Sequence, residues 1–271
     1  MKRADRSMRL SAPFAFTGAV LWCLGCSSNS DDVTSDSREG TIVVSEVLNG
    51  ASAVSYEISA SWLPPVGESG CSLTTVGACT VVSCMADQTS AATPSSLDAG
   101  PLVFASSSGS TMTLTTTAPA SYESQGTGGF FAPGDTVTVT GQGGADLPAF
   151  APVSVVAPAE TTLLAPACAA GFCPTADRTQ DLALSWSSQG PGLLSINLGA
   201  AAQSTTASCI FDLSDGTDDV PAEVLAAFPS RDAITLTVQA INDQPFTLGG
   251  LPTAFLVAET IVAATSPPAS Q

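Results

Sequence analysis

The chain is expected to be all-β, with two antiparallel β-sandwich domains following a signal peptide and a flexible tether. Three observations predict this. Apolar residues recur with a period of two, short runs of this kind are parted by Gly, Pro, Ser and Asp, and one alternating run ending in Ser-Trp occurs twice. The expected division of the 271 residues is a signal peptide over 1–25, a Ser- and Asp-rich tether over 26–40, sandwiches over 41–157 and 158–265, and a disordered tail over 266–271.

The first element is the leader. Lys2, Arg3, Arg6 and Arg9 make its tip basic, and Leu10 to Leu24 is apolar apart from Ser11 and Thr17. A spanning helix needs about 20 apolar residues, so this shorter run with Pro13 inside it reads as an export signal. Plain secretion and an uncleaved anchor are the competing readings. No Ala-x-Ala-like site follows the run, which makes Gly25-Cys26 the better processing point. The segment Leu24-Gly25-Cys26 resembles the lipobox of bacterial lipoproteins. The resemblance implies a diacylglyceryl group on the Cys26 thiol, cleavage before Cys26 and acylation of the new amine with palmitate-like chains. Ser27 in place of an acidic residue then implies the outer membrane, on a face the sequence leaves open. Residues 27–40 are rich in Ser and Asp and suit a tether.

Beyond the tether the strands follow in order. Tyr56, Ile58, Ala60 and Trp62 alternate with Glu57, Ser59 and Ser61, and Val137 and Val139 alternate with Thr136, Thr138 and Thr140. The same pattern holds for Met112 and Leu114, for Leu182, Leu184 and Trp186, for Leu194, Ile196 and Leu198, and for Ile234, Leu236 and Val238. A single helix is expected from Ala222 to Phe228, started by Pro221 with Asp218 or Asp219 before it. Ile58-Ser-Ala-Ser-Trp62 and Leu182-Ala-Leu-Ser-Trp186 form a weak repeat, their tryptophans 124 positions apart. These strands resemble the second strand of fibronectin type III and related immunoglobulin-like sandwiches. That resemblance implies a core tryptophan in each half and no function.

Composition excludes several kinds of chemistry. Without the leader, only Arg38, Arg178 and Arg231 stand against 23 acidic residues, a net charge of −20. Nucleic acid is excluded as a partner, because binding it needs Lys or Arg to displace counterions. The chain has no histidine and its one lysine is Lys2, so Ser-His-Asp, Cys-His and Ser-Lys catalysis, Schiff bases and His-ligated zinc are unavailable. No cofactor and no enzymatic activity are expected; a carboxylate pair, as in glycoside hydrolysis, is the catalytic route that composition leaves open.

Six cysteines follow Cys26: Cys71, Cys79, Cys84, Cys168, Cys173 and Cys209. An even count in an exported chain reads as three disulfides, and the spacings do not form the CxxC pairs of a Cys-only zinc site. Each expected domain holds three, so one bridge must cross between them if all pair. Cys209 shares a face with Phe211 and Leu213 and is expected to join Cys71, Cys79 or Cys84; the other two of those join each other, and Cys168 joins Cys173.

Two segments carry binding-type residues. Tyr122, Phe130 and Phe131 lie on an expected long loop between Thr115 and Asp135, where they either stack on a sugar or protein partner or pin the loop to the sandwich. Asp212, Asp215, Asp218 and Asp219 surround Gly216, and Asn242-Asp243-Gln244-Pro245 resembles part of a cadherin calcium motif; polar turns explain both, and no metal site is expected. The resulting expectation is a lipid-anchored, non-catalytic envelope protein of structural or adhesive type, its partners being the membrane and possible polysaccharide or envelope proteins. A polysaccharide- or calcium-dependent binding module is the alternative.

Overall fold

In a computed structural model of the chain, residues 39–49, 52–63, 71–84, 97–116, 122–167, 177–188, 190–200, 205–229, 234–249 and 251–264 are described. The expected leader, Cys26, Cys168, Cys173 and the 266–271 tail lie outside these residues. The described part is all-β sandwich. Its first strand, β1 (Glu39–Asn49), begins two residues inside the expected tether and turns back as β2 (Ser52–Leu63). A second hairpin, β3 (Cys71–Val76) and β4 (Cys79–Cys84), turns at Gly77 and Ala78. Then come β5 (Leu102–Ser106), β6 (Thr111–Leu114), β7 (Tyr122–Thr127), β8 (Thr136–Gly141), β9 (Phe150–Val156) and β10 (Thr161–Ala165). The last third holds β11 (Leu182–Ser188), β12 (Leu193–Ala200), β13 (Thr205–Asp212), β14 (Thr217–Val220), α1 (Ala222–Ala226), β15 (Ile234–Leu248) and β16 (Leu251–Ala264).

Nine strands form one sheet in the order β3-β4-β13-β12-β15-β16-β1-β2-β7. Every pairing in it is antiparallel except β1 with β16, which run parallel from Glu39 opposite Thr253 to Val47 opposite Ile261. The sheets β6-β5-β8-β9 and β10-β11-β14 are separate and smaller. One core gathers Ile42, Val44, Ile58 and Trp62 with Phe104, Val137 and Val139 of the four-stranded sheet. The other gathers Leu194, Ile196, Cys209 and Phe211 with Leu184 and Trp186 of the three-stranded sheet and with Val224 and Leu225 of α1. Trp62 and Trp186, the repeated tryptophans, are buried one in each core.

The two cores exchange strands across the boundary expected at 157/158. Cys79 and Val81 of the first half lie in the second core, while Leu251, Ala254, Leu256 and Ala258 of the second half lie in the first. The described residues accordingly fall within one compact unit. The cause is the length of the β15–β16 hairpin, whose 15- and 14-residue strands serve one core at one end and the other core at the other.

Within this unit the cross-half bridge is Cys79–Cys209, whose Cα atoms are 3.9 Å apart. The two stand directly opposite each other in the β4–β13 pairing. Ile210 N–H donates to the Ala78 carbonyl at 3.1 Å, so Ala78 and Ile210 are the hydrogen-bonded pair and the cysteines occupy the close, non-hydrogen-bonded one where side chains meet. Cys71 is also disulfide-bonded, and its backbone stands opposite that of Cys84.

Two local expectations are corrected. The helix stops at Ala226, and neither Asp218 nor Asp219 caps it, because both are paired into β14; Asp181 Oδ1 accepts the Ala222 N–H at 2.7 Å instead. Asn242 to Pro245, read as a turn, lies inside β15, which pairs with β16 as far as Leu248 opposite Leu251. Strand β12 accompanies β15 only as far as Ile241, so among the described residues Pro245 lies where one side of β15 has no neighbouring strand and its missing N–H breaks no ladder bond.

Gly40 is required by a close approach. A Cβ there would sit 2.3 Å from Trp62 Cε3, on the cross-strand partner that fills the first core. Gly40→Ala is expected to cost about 1–3 kcal/mol through overpacking, read as a lower denaturant midpoint at unchanged slope. The paired change Cys79→Ala and Cys209→Ala, which opens a closure of 130 residues, is expected to cost on the order of 2–5 kcal/mol in the same titration.

Candidate functional site

The aromatic segment begins at Tyr122, which opens edge strand β7 rather than lying on a loop. Its ring is fully buried, and its hydroxyl accepts the Ala99 N–H at 2.8 Å and donates to Asp98 Oδ1 at 3.2 Å. Burial first, and then the neighbouring Asp98 charge, push this phenol up to about 12. Asp98 also accepts from Gly100 and Ala145 N–H groups, which hold its carboxyl below the usual range. One carboxylate thus ties the start of β7 to two adjoining segments at one end of the four-stranded sheet, the one leading into β5 and the one joining β8 to β9.

Phe130 and Phe131 are 3% and 4% exposed. Both backbone N–H groups donate to Glu46 Oε1, at 2.5 and 2.8 Å. Glu46 is buried at an inward position of β1, in series with Ile42 and Val44; burial raises its carboxyl, and the two N–H donors pull the other way. From the outside Asp135 closes the same segment, accepting from Ala132 N–H at 2.8 Å and from the hydroxyls of Ser106 and Ser107. Those donors, the Ala132 N–H foremost, hold the Asp135 carboxyl low. None of the three aromatics presents a ring for stacking; of the two readings of Tyr122, Phe130 and Phe131, burial favours the one in which the rings pin the segment to the sandwich over the one in which they meet a partner.

The acidic turn is likewise committed internally. Asp212 Oδ1 accepts the Ser214 N–H and hydroxyl at 2.8 and 2.6 Å and caps a 3-10 turn over Leu213–Asp215. Gly216 follows with φ 72°, and Asp218 and Asp219 continue into β14, so the strand geometry spreads the four carboxylates. Among the described residues no three acidic or cysteine side chains converge on a point that would hold a metal ion.

A third arrangement escaped the sequence reading. On the face of the nine-stranded sheet opposite the cores, Glu259 of β16, Ser45 of β1, Glu57 of β2 and Gln125 of β7 stand directly across from one another over four strands. Glu259 is only 8% exposed. Burial pushes its carboxyl up to about 7, a hydrogen bond from Ser45 opposes the shift, and the Glu57 charge adds to it. Half-buried Glu57 is raised too, by burial and then by Glu123, against a hydrogen bond from Gln125. The signal was present in the sequence: Glu259 interrupts an apolar run from Ala254 to Ala264, where a charge has no solvent-facing alternation to occupy.

Two carboxyls with raised pKa values are the raw material of acid–base chemistry. They are separated here by a whole strand, roughly 10 Å of backbone, with Ser45 between them. An open depression of about 390 Å3 lies elsewhere, on the three-stranded sheet against Leu184, Ser185, Asp218 and Asp219. Among the described residues the row is therefore an electrostatic feature of the sheet, its two acids held apart by Ser45 where hydrolysis needs them to flank a bond.

No family model matches the chain, and no curated protein matches it. Among solved structures it is similar to the FN1-FN3 domains of chicken CNTN1, at 9% identity over 77% of this chain and 75% of that one, with a TM-score of 0.22. A likeness that distant assigns no function to this chain.

The buried row makes stability depend on pH in a defined direction. Below about 4.5 Glu259 is protonated whether folded or unfolded. As pH rises from there to about 7 the unfolded chain ionises first, so stability falls, and above 7 the loss levels off. Glu259→Gln is expected to match the parent at pH 4.5 and to be more stable at pH 8 by on the order of 2–3 kcal/mol, measured by denaturant titration at both values.

Proposed function

We propose that the chain is a non-catalytic, lipid-anchored cell-envelope protein of structural or adhesive type. The observation that carries the reading is the order of the first 30 residues: basic tip, apolar run, Gly25-Cys26, then Ser27, Ser28, Asn29 and Ser30. Cys26 bears the acyl chains, the outer membrane holds them, and residues 27–38 separate the anchor from the first strand at Glu39. A cross-linked β body suits a load-bearing or adhesive role outside the cytoplasm, where disulfides persist. With three arginines left in the mature chain, the body has little means of holding nucleic acid or anionic headgroups, so membrane contact falls to the anchor alone.

The non-catalytic part of the reading rests on where the acids are spent. Glu46, Asp98, Asp135, Asp212 and Asp218 are engaged by backbone N–H groups, Glu57 and Glu259 stand apart from the open depression, and Asp219 is the one acid beside it without such a bond among the described residues.

Metabolic labelling with a palmitate analogue tests the anchor. Label is expected in the membrane fraction of the parent and is expected to vanish in Cys26→Ser, with protein moving to the soluble fraction; label persisting in Cys26→Ser refutes the assignment. Cleavage of any member of a glycan panel, lost in both Glu57→Gln and Glu259→Gln, would refute the absence of catalysis.

A further inference from the structure

Exposed strand edges invite pairing, and this chain blunts nearly all of its own. Of the six edges of the three sheets among the described residues, β7 carries Glu123, β9 carries Pro152, β14 carries Asp218 and Asp219, β10 is interrupted by a bulge and β6 is only four residues long. Each of these is a known obstacle to strand addition. The sixth edge, β3, has none: Cys71-Ser-Leu-Thr-Thr-Val76 is straight, uncharged and free of proline, and Ser72 to Thr75 are exposed on both faces.

We propose that β3 is a self-pairing edge, through which two copies of this chain join antiparallel about a two-fold axis at Thr74. The register is set by the hairpin. A two-residue turn makes Val76 and Cys79 a hydrogen-bonded pair, so Thr74 and Ser72 also bond inward to β4 while the N–H and C=O groups of Leu73 and Thr75 point outward. An axis at Thr74 sets Leu73 opposite Thr75 of the second copy and Thr75 opposite its Leu73. Four backbone hydrogen bonds result, and Leu73, 37% exposed and one of three large exposed apolar side chains among the described residues, is covered.

Charge selects the occupant. The chain has a net charge of −17, so two copies repel over most of their surface. Strands β3, β4, β12 and β13 together contain one charged residue, Asp212 at the far end of β13. Among the described residues this corner is where like-charged copies approach with the fewest carboxylates between them, whereas a cationic partner would gain little from strands so poor in acids.

Sedimentation velocity on the full chain, from micromolar to submillimolar, is expected to show a reversible monomer–dimer equilibrium that strengthens as salt screens the net charge. Hydrogen exchange is expected to slow at the amides of Leu73 and Thr75 in the dimer alone. Thr75→Pro removes an outward donor and is expected to weaken the dimer roughly tenfold or more. Thr74→Asp and Thr74→Lys each place like charges across the axis and are expected to weaken it roughly fivefold, and mixing the two is expected to restore it. A monomer at every concentration and salt, a dimer with unprotected Leu73 and Thr75 amides, or no recovery on mixing the charged variants would overturn the proposal. Should Thr75→Pro lower the melting temperature, the mixing experiment and wild-type exchange still decide it.

Discussion

The parallel pairing of β1 with β16 is the constraint on which the architecture depends. It joins the strands that begin and end the described chain, and it is the seam at which β1, β2 and β7 become part of the same sheet as the other six. Without it the long sheet would fall into a three-stranded piece and a six-stranded piece. The first core would lose Ala254, Leu256 and Ala258 from one side. Parallel pairs need burial on both faces, and the near-continuous apolar character of Ala254 to Ala264 supplies it.

Carboxylates at inward or loop-facing positions then fix what the sheets alone leave loose. Glu46 holds the Phe130–Phe131 segment from beneath while Asp135 holds it from outside, and Asp98 ties Tyr122 to the turns beside it. Each satisfies backbone N–H groups that a segment lacking regular structure would otherwise leave unpaired, which is why an acid is tolerated next to a hydrophobic core. Glu259 differs: its hydrogen bond from Ser45 offsets its burial only in part, and so it alone among them carries a large penalty for ionising.

Antiparallel half-buried strands were legible because one face is wet. β2, β6, β8, β11 and β12 all lie where period-two alternation puts them, and the inward direction of Cys209 is explained by Phe211 and Leu213 on the same face. β16 was illegible for the converse reason, since a strand covered on both faces has no alternation to read. The exchange of strands between the cores was hidden as well: Val81 on β4 would pack equally well against either core, and nothing local says which one lies across the sheet. Tyr122 was placed on a loop because Gly126, Gly128 and Gly129 look like loop residues. Gly126 in fact sits within β7, where Tyr56 leaves no room for a Cβ.

The exchange of strands has a temporal side. A ribosome delivers the first 157 residues long before β15 and β16 exist, yet neither apolar interior can be sealed by what has emerged: one waits for 251–264, and the other needs 71–84 to be kept available until 184–240 arrives. Maturation in halves is closed to this polypeptide. Closure of either interior therefore depends on contacts of very long sequence separation, which are expected to set the pace.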